Sequence, residues 1–188
     1  MKRIVFFASG NGTNVQQITE YFANNQQVEI SYLFCNNADA YVLERAKNLH
    51  IPSMIINKQS FYESDMVLEK INQIHPDLIV LAGFLWLVPA SLIAAYPHKI
   101  INIHPALLPK FGGKGMYGHH VHEAVVAAKE QQTGITIHYV NEHYDKGDTI
   151  FQTTCPVLPT DTADDVAAKI HLLEKEYFPK VIDKILFA

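Results

Sequence analysis

The sequence predicts one α/β domain built on a mostly parallel, twisted sheet with helices on both faces. Short apolar runs of strand length alternate with amphipathic stretches that have helical spacing. The run at 78–82 is apolar throughout, as expected for a strand that is covered on both faces. The chain has 188 residues, 48% of them hydrophobic, which fits one compact domain over 1–188.

The first hundred residues predict five strands with helices between them. Apolar or β-branched runs place the strands at 4–8, 30–35, 54–56, 78–82 and 100–104. Amphipathic spacing places the helices at 15–22, 41–49, 64–74 and 89–95. Because strand and helix alternate, the strands are expected to pair in parallel.

The second half of the chain begins with an irregular segment. Residues 105–118 contain two prolines and four glycines together with apolar side chains, which indicates an ordered functional loop rather than a linker. A helix is predicted at 121–129, and strands are predicted at 135–139 and 149–157. The sequence Thr160-Asp161-Thr162 is expected to cap a long final helix.

Composition excludes several classes of protein. The formal charge is −4 and no run of lysine or arginine occurs, which argues against a nucleic-acid surface. No apolar run approaches the roughly 20 residues of a membrane span. The two cysteines, Cys35 and Cys155, lie far apart in apolar segments and are expected to be buried free thiols. We therefore expect a cytoplasmic protein that does not bind membranes.

The loop from Ser9 to Asn14 is a candidate phosphate site. It follows the first predicted strand and opens the first helix, so its backbone N–H groups and the positive end of the helix can hold an anion. It lacks the third glycine of the dinucleotide fingerprint and the Gly-Lys-Ser/Thr of the P-loop. A tight turn capped by an Asn or Thr side chain explains the pattern equally well.

Asn102 and His104 are the most informative pair in the sequence. They lie two residues apart on one strand, so their side chains share a face at the edge where parallel α/β sheets bind ligands. Histidine can relay protons near neutral pH, and an Asn amide can donate to a developing oxyanion. The alternative is a structural pair that anchors the following loop.

Asp145 lies in a turn-like segment before Gly147, where an Asp usually serves local backbone hydrogen bonding. It becomes a functional candidate if folding brings it beside His104, where a carboxylate would orient the ring and raise its pKa.

Three neighbouring histidines, His119, His120 and His122, raise the question of a metal site. Their spacing at the start of a helix does not direct three imidazoles to one face, and no cysteine or acidic ligand completes a zinc set. We predict no metal, with at most two of these side chains lining a pocket.

The combined pattern resembles the folate-dependent formyltransferase family, and within it the branch that formylates glycinamide ribonucleotide. The stretches that carry the resemblance are 9–14 (SGNGTN), 81–84 (LAGF), 102–110 (NIHPALLPK) and 145–147 (DKG). The third is the most specific to folate formyltransferases. The resemblance covers essentially the whole chain and implies a Rossmann-like formyltransferase fold.

The resemblance implies a role for each matching residue. The catalytic group would be Asn102, His104 and Asp145. The ribonucleotide would be held by Gly12, Thr13 and Asn14 at its phosphate and by Glu174 at its sugar. The folate pocket would be lined by Leu85, Trp86, Leu87, Val88 and Asn102, and closed by Asn141, Glu142, His143 and Tyr144. Phosphate binding would fall at about 1–100, and the catalytic and folate-site elements at about 81–150.

The implied reaction transfers a formyl group from 10-formyltetrahydrofolate to the amine of glycinamide ribonucleotide in purine biosynthesis, without a metal. The implied protein is a monomer or homodimer that acts on small molecules. Two features depart from the family pattern: residues 111–118 form a longer, glycine-rich loop, and an Arg expected near 61–65 is missing. These differences bear on donor affinity more than on reaction type.

Three other functions stay open at this point, one of them a sugar-nucleotide formyltransferase. A formyltetrahydrofolate deformylase resembles the same core but transfers the formyl group to water, and its members usually carry a further N-terminal domain. The chain could instead be a non-catalytic folate- or phosphate-binding module, although the joint presence of Asn102, His104 and Asp145 argues against that.

Overall fold

Seven strands form one sheet in the computed structural model, which describes residues 1–188. The strands are β1 (Lys2–Ala8), β2 (Val28–Cys35), β3 (Ser53–Ile55), β4 (Leu78–Leu81), β5 (Ile100–His104), β6 (Gln132–Tyr139) and β7 (Thr149–Pro156). Their order across the sheet is β3-β2-β1-β4-β5-β6-β7. Neighbours from β3 to β5 are parallel, whereas β6 and β7 are antiparallel additions. The predicted mostly parallel sheet is confirmed.

Seven helices accompany the sheet. They are α1 (Thr13–Phe22), α2 (Val42–Asn48), α3 (Lys58–Tyr62), α4 (Met66–Ile74), α5 (Ala90–Ala95), α6 (His119–Ala127) and α7 (Ala163–Phe187). Helix α3 was not predicted, because five residues are too few to show a helical period. It is held instead by reciprocal capping bonds between Asn57 and Ser60. None of the seven is long and apolar enough to cross a membrane.

The sheet is buried on both faces. Along β1 the side chains alternate, so that Ile4 and Phe6 belong to one apolar cluster and Val5 and Phe7 to another. The first cluster includes residues of α1, α2, α6 and α7, and the second includes residues of α3, α4 and α5. This two-sided burial is why the central strands are apolar without interruption. The prediction of helices on both faces is confirmed.

The strand order creates a crevice at the carboxyl edge of the sheet. The neighbours of β1 are β2 on one side and β4 on the other, so the loops that follow β1 and β4 diverge to opposite faces. Two hydrogen bonds join these loops: Ser9 N–H donates to the Gly83 carbonyl (3.0 Å), and Leu85 N–H donates to Ser9 Oγ (2.9 Å). The segments predicted to bind ligands therefore lie side by side.

The capping of α7 provides a test of the fold. Thr162 Oγ1 accepts from Asp165 N–H (3.2 Å), and the Asp165 carboxylate accepts from Thr162 N–H (2.8 Å). Because Thr162→Ala removes the acceptor of the Asp165 N–H bond, we expect it to lower the free energy of unfolding in urea by about 1 kcal/mol. The control is Thr160→Ala, since Thr160 is exposed and its side chain makes no hydrogen bond. Equal losses in the two variants would contradict the capping role.

Candidate active site

A cavity of about 660 Å³ opens at the carboxyl edge of the sheet. Its wall is formed by the segments that follow β1, β4, β5 and β6, together with part of α7. Every residue predicted for the site lines this cavity except Glu142. Residues more than 150 positions apart in the chain, such as Asn14 and Glu174, thus meet in one concave space.

At one end of the cavity the first turn of α1 has free backbone donors. Gly12 occupies the N-cap with φ +79°, and no side chain caps the helix. The turn is therefore not capped by an Asn or Thr side chain. A β-carbon at Gly12 would lie 2.3 Å from Val42 Cγ2, so glycine is required by both the backbone conformation and the packing against α2. The N–H groups of this turn are available to an anion.

Arg45 of α2 holds the loop before this turn. Its Nε donates to the Asn11 carbonyl (2.8 Å), and its Nη2 donates to Asn11 Oδ1 (2.8 Å). A further bond joins its guanidinium to Gln16 of α1. Arg45 is consequently committed to shaping the loop and is not among the residues that line the cavity.

Glu174 projects from α7 into the same end of the cavity. It is 8% exposed, and its carboxylate accepts from Asn14 Nδ2 (3.2 Å). Burial raises the pKa of Glu174 to about 7, and the bond from Asn14 opposes only part of this rise. The group therefore changes charge near neutral pH.

The centre of the cavity contains the predicted trio. Asn102 and His104 lie at the carboxyl end of β5, as expected from their spacing. Asp145, in the left-handed backbone region at φ +56°, brings its Oδ2 to 3.5 Å from Nδ1 of His104. Folding thus brings Asp145 beside His104, which makes it a functional candidate. The same Oδ2 accepts from Gly113 N–H (2.9 Å), which ties the 111–118 loop to this carboxylate.

Both ring nitrogens of His104 face acceptors. Nε2–H donates to the Phe111 carbonyl (2.7 Å), and Nδ1 faces Asp145, an arrangement that only the protonated ring satisfies fully. Burial nevertheless lowers the pKa of His104, and the Asp145 carboxylate and the Phe111 carbonyl offset this only in part. Asp145 acts in the predicted direction, but burial outweighs it.

At Asp145 the partners prevail over burial. Burial alone would raise it, but the contacts from His138, His104 and Gly113 N–H together outweigh burial and lower the pKa. Asp145 is therefore an anion at neutral pH.

Sequence reasoning missed His138 of β6. Its Nδ1–H donates to the Tyr139 carbonyl (2.8 Å), which leaves Nε2 to accept from Asn102 Nδ2 (3.1 Å); this tautomer is assigned from the hydrogen bonds. Nε2 also lies 3.6 Å from Asp145 Oδ1. The feature that brings His138 into the site is the pairing of β5 with β6, which sets Asn102 directly opposite His138. That register is not visible in either strand alone.

The other end of the cavity is largely apolar. Leu85, Trp86, Leu87 and Val88 line it, together with Asn141, His143 and Tyr144. Tyr62 of α3, also missed, supports this wall: its hydroxyl donates to the Leu87 carbonyl (2.8 Å), and its ring lies 5.9 Å from that of Trp86. Tyr62 belongs to the 61–65 stretch, in which an Arg was expected and none occurs.

Only one of the three neighbouring histidines, His122, lines the cavity. His119 and His120 lie outside it, within 4 Å of Glu123 carboxylate oxygens. No group of three or more His, Cys, Asp or Glu side chains is arranged to hold a metal ion.

Comparison with known proteins places the geometry in a family. Residues 2–182 match the family described as formyl transferase. A phosphoribosylglycinamide formyltransferase of Bacillus subtilis is 37% identical over 191 residues, covering 99% of this chain and 95% of the relative. The solved structure of a phosphoribosylglycinamide formyltransferase from Streptococcus pneumoniae superposes with a TM-score of 0.87 at 38% identity, covering 100% of both chains.

A chloroplastic phosphoribosylglycinamide formyltransferase of Vigna unguiculata is 36% identical over 190 residues. The match covers 98% of this chain but 61% of the plant protein, so the chain spans about three fifths of that relative's length.

Glu174 generates a prediction about stability. Its pKa is about 7 in the folded protein and near the ordinary 4.5 when unfolded, so the folded state binds the proton more tightly. The stability that this contributes is complete below about pH 4.5 and is lost as the pH rises through about 7. Glu174→Gln stays neutral. Relative to wild type, we expect its free energy of unfolding to improve by roughly 3 kcal/mol between pH 4 and pH 8.

Urea unfolding of the two proteins across this pH range measures the difference. Asp183→Asn, a change elsewhere on α7, is the control. If the difference in unfolding free energy between wild type and Glu174→Gln did not change with pH, the raised pKa of Glu174 would be refuted.

Proposed function

The chain belongs to the formyl transferase family, and from that premise we propose that it transfers a formyl group from 10-formyltetrahydrofolate to the amine of glycinamide ribonucleotide, a step in purine biosynthesis. The names of the bacterial and plant relatives support this acceptor. The observation that carries the proposal is the contact of His104 with Asp145, next to Asn102. These three residues lie in the middle of the cavity, which has free backbone donors at one end and apolar side chains at the other.

The two ends of the cavity suit the two substrates. The ribonucleotide phosphate binds the N–H groups of Gly12, Thr13 and Asn14, and Glu174 accepts hydrogen bonds from the ribose. The flat pteridine ring of the donor packs against Leu85 to Val88, with Asn141 to Tyr144 closing over it. Of these residues only Glu142 lies outside the cavity wall.

The chemistry takes place between these ends. The acceptor amine attacks the formyl carbon, and the carbonyl oxygen becomes an oxyanion that receives hydrogen bonds from Asn102 and from Nε2–H of His104. In that state the oxyanion replaces the Phe111 carbonyl as the partner of His104 Nε2–H. The proton leaves the attacking nitrogen and reaches N10 of the folate through His104 or an ordered water. Collapse of the tetrahedral carbon then breaks its bond to N10, leaving the formylated amide and tetrahydrofolate.

Further predictions concern the division of the chain, its location and its oligomeric state. Phosphate binding at about 1–100 and the catalytic and folate elements at about 81–150 stay a prediction, and α7 adds Glu174 outside both ranges. A cytoplasmic location and a monomer or homodimer also stay predictions.

The assay follows deformylated folate from 10-formyltetrahydrofolate with and without glycinamide ribonucleotide. We expect deformylation that depends on the ribonucleotide. Equal deformylation without it would identify a deformylase. Ligand protection against unfolding without any product would identify a binding module.

His104 should carry most of the rate. Because His104→Ala removes both the oxyanion contact and the proton relay, we expect kcat to fall by roughly 10²- to 10⁴-fold. His120→Ala is the matched control, since this ring lies outside the cavity and should leave kcat unchanged. A His104→Ala variant that keeps its circular dichroism spectrum and full turnover would exclude the catalytic role.

His138 is expected to position Asn102 rather than contact substrate. Loss of this hydrogen bond in His138→Leu should lower kcat by roughly 10- to 100-fold, since one buried bond contributes about 1–3 kcal/mol. His138→Gln offers Asn102 an amide oxygen and should recover part of the rate. If the Gln and Leu variants were equally slow, a role limited to positioning Asn102 would be ruled out.

A further inference from the structure

The cavity contains very few permanent charges. Among its lining residues Lys114 is the only lysine or arginine, and the acids are Asp145 and Glu174. The Lys114 side chain is exposed and makes no hydrogen bond or ion pair. A site that accepts a phosphate monoester has to compensate a charge of nearly −2. Lys114 is the one permanent cation on the cavity wall that is free to do so.

The position of Lys114 in the chain connects two parts of the site. The preceding residue, Gly113, donates to the Asp145 carboxylate that contacts His104. The loop then continues into α6, which packs against α7, the helix that carries Glu174. Lys114 therefore follows directly on the catalytic centre, in a segment that leads toward the ribonucleotide end of the cavity.

His122, one turn into α6, does not supply a second cation to this wall. It is 4% exposed, and its Nδ1 is closed off from solvent without a hydrogen-bond partner. Burial, with the nearby His171, His119 and His104, lowers the pKa of His122 to about 4, so the ring is neutral at neutral pH. Compensation of an anionic group by a side chain on this wall therefore depends on Lys114.

On the basis of the proposed function, we propose that Lys114 pairs with the phosphate of the acceptor and selects phosphorylated over unphosphorylated amines. The backbone N–H groups at the start of α1 complete the phosphate's hydrogen bonds. The donor's carboxylates are the competing anions, and the folate KM distinguishes the two partners.

The test compares Lys114→Gln with wild type on two acceptors, glycinamide ribonucleotide and its dephosphorylated riboside. We expect KM for the ribonucleotide to rise roughly 10- to 100-fold, the loss typical of a charge-assisted contact, with kcat and the folate KM nearly unchanged. The riboside should react equally with both proteins. The matched control is Lys110→Gln, on the same segment but paired with Glu130 at 2.8 Å.

Binding of ribose 5-phosphate, measured by titration calorimetry, tests the same contact without turnover. Its affinity should fall in Lys114→Gln and persist in Lys110→Gln, and its salt dependence should be weaker in the first variant. A rise in the folate KM alone, or equal losses on ribonucleotide and riboside, would overturn the assignment. If wild type fails to formylate glycinamide ribonucleotide, the proposed function fails, while the calorimetry still decides whether Lys114 binds phosphate.

Discussion

The carboxylate of Asp145 joins segments that are far apart in the chain. Its two oxygens contact His104 of β5, His138 of β6 and the backbone N–H of Gly113. Asp145 itself lies in the turn between β6 and β7, with its backbone in the left-handed region. Because a buried anion has to be compensated by its neighbours, this one side chain constrains where β5, β6 and the 111–118 loop can lie.

The antiparallel strand β6 makes that arrangement possible. It places His138 opposite Asn102 and Thr136 opposite His104. Thr136 Oγ1 donates to the Ala106 carbonyl (2.7 Å) and accepts from Leu108 N–H (3.0 Å), so the start of the loop after β5 is held from the side. A parallel sheet of five strands supplies the crevice, and the antiparallel addition supplies the hydrogen bonds that orient Asn102 and the start of the loop after β5.

Burial, more than charge, determines the electrostatics of this cavity. It raises the pKa of Glu174 and lowers that of His104, and in each case the partner side chain offsets only part of the shift. Asp145 is the exception, because its contacts with His138, His104 and the Gly113 N–H lower its pKa more than burial raises it. The wall therefore presents one firm anion, one carboxyl that titrates near neutrality and Lys114 as its sole permanent cation. An anion in such a cavity would depend largely on backbone N–H groups.

Local patterns in the sequence determined the alternation of strand and helix, the glycine loop after β1 and the pairing of Asn102 with His104 on one strand face. These features depend on periods of two and 3.6 residues and on turn chemistry, all of which act over a few neighbours. Only the tertiary structure decided that His138 meets Asn102, that Tyr62 supports Leu87, and that burial exceeds the effect of Asp145 on His104. Strand register, contacts between distant loops and desolvation arise when remote segments pack together, and no local pattern encodes them.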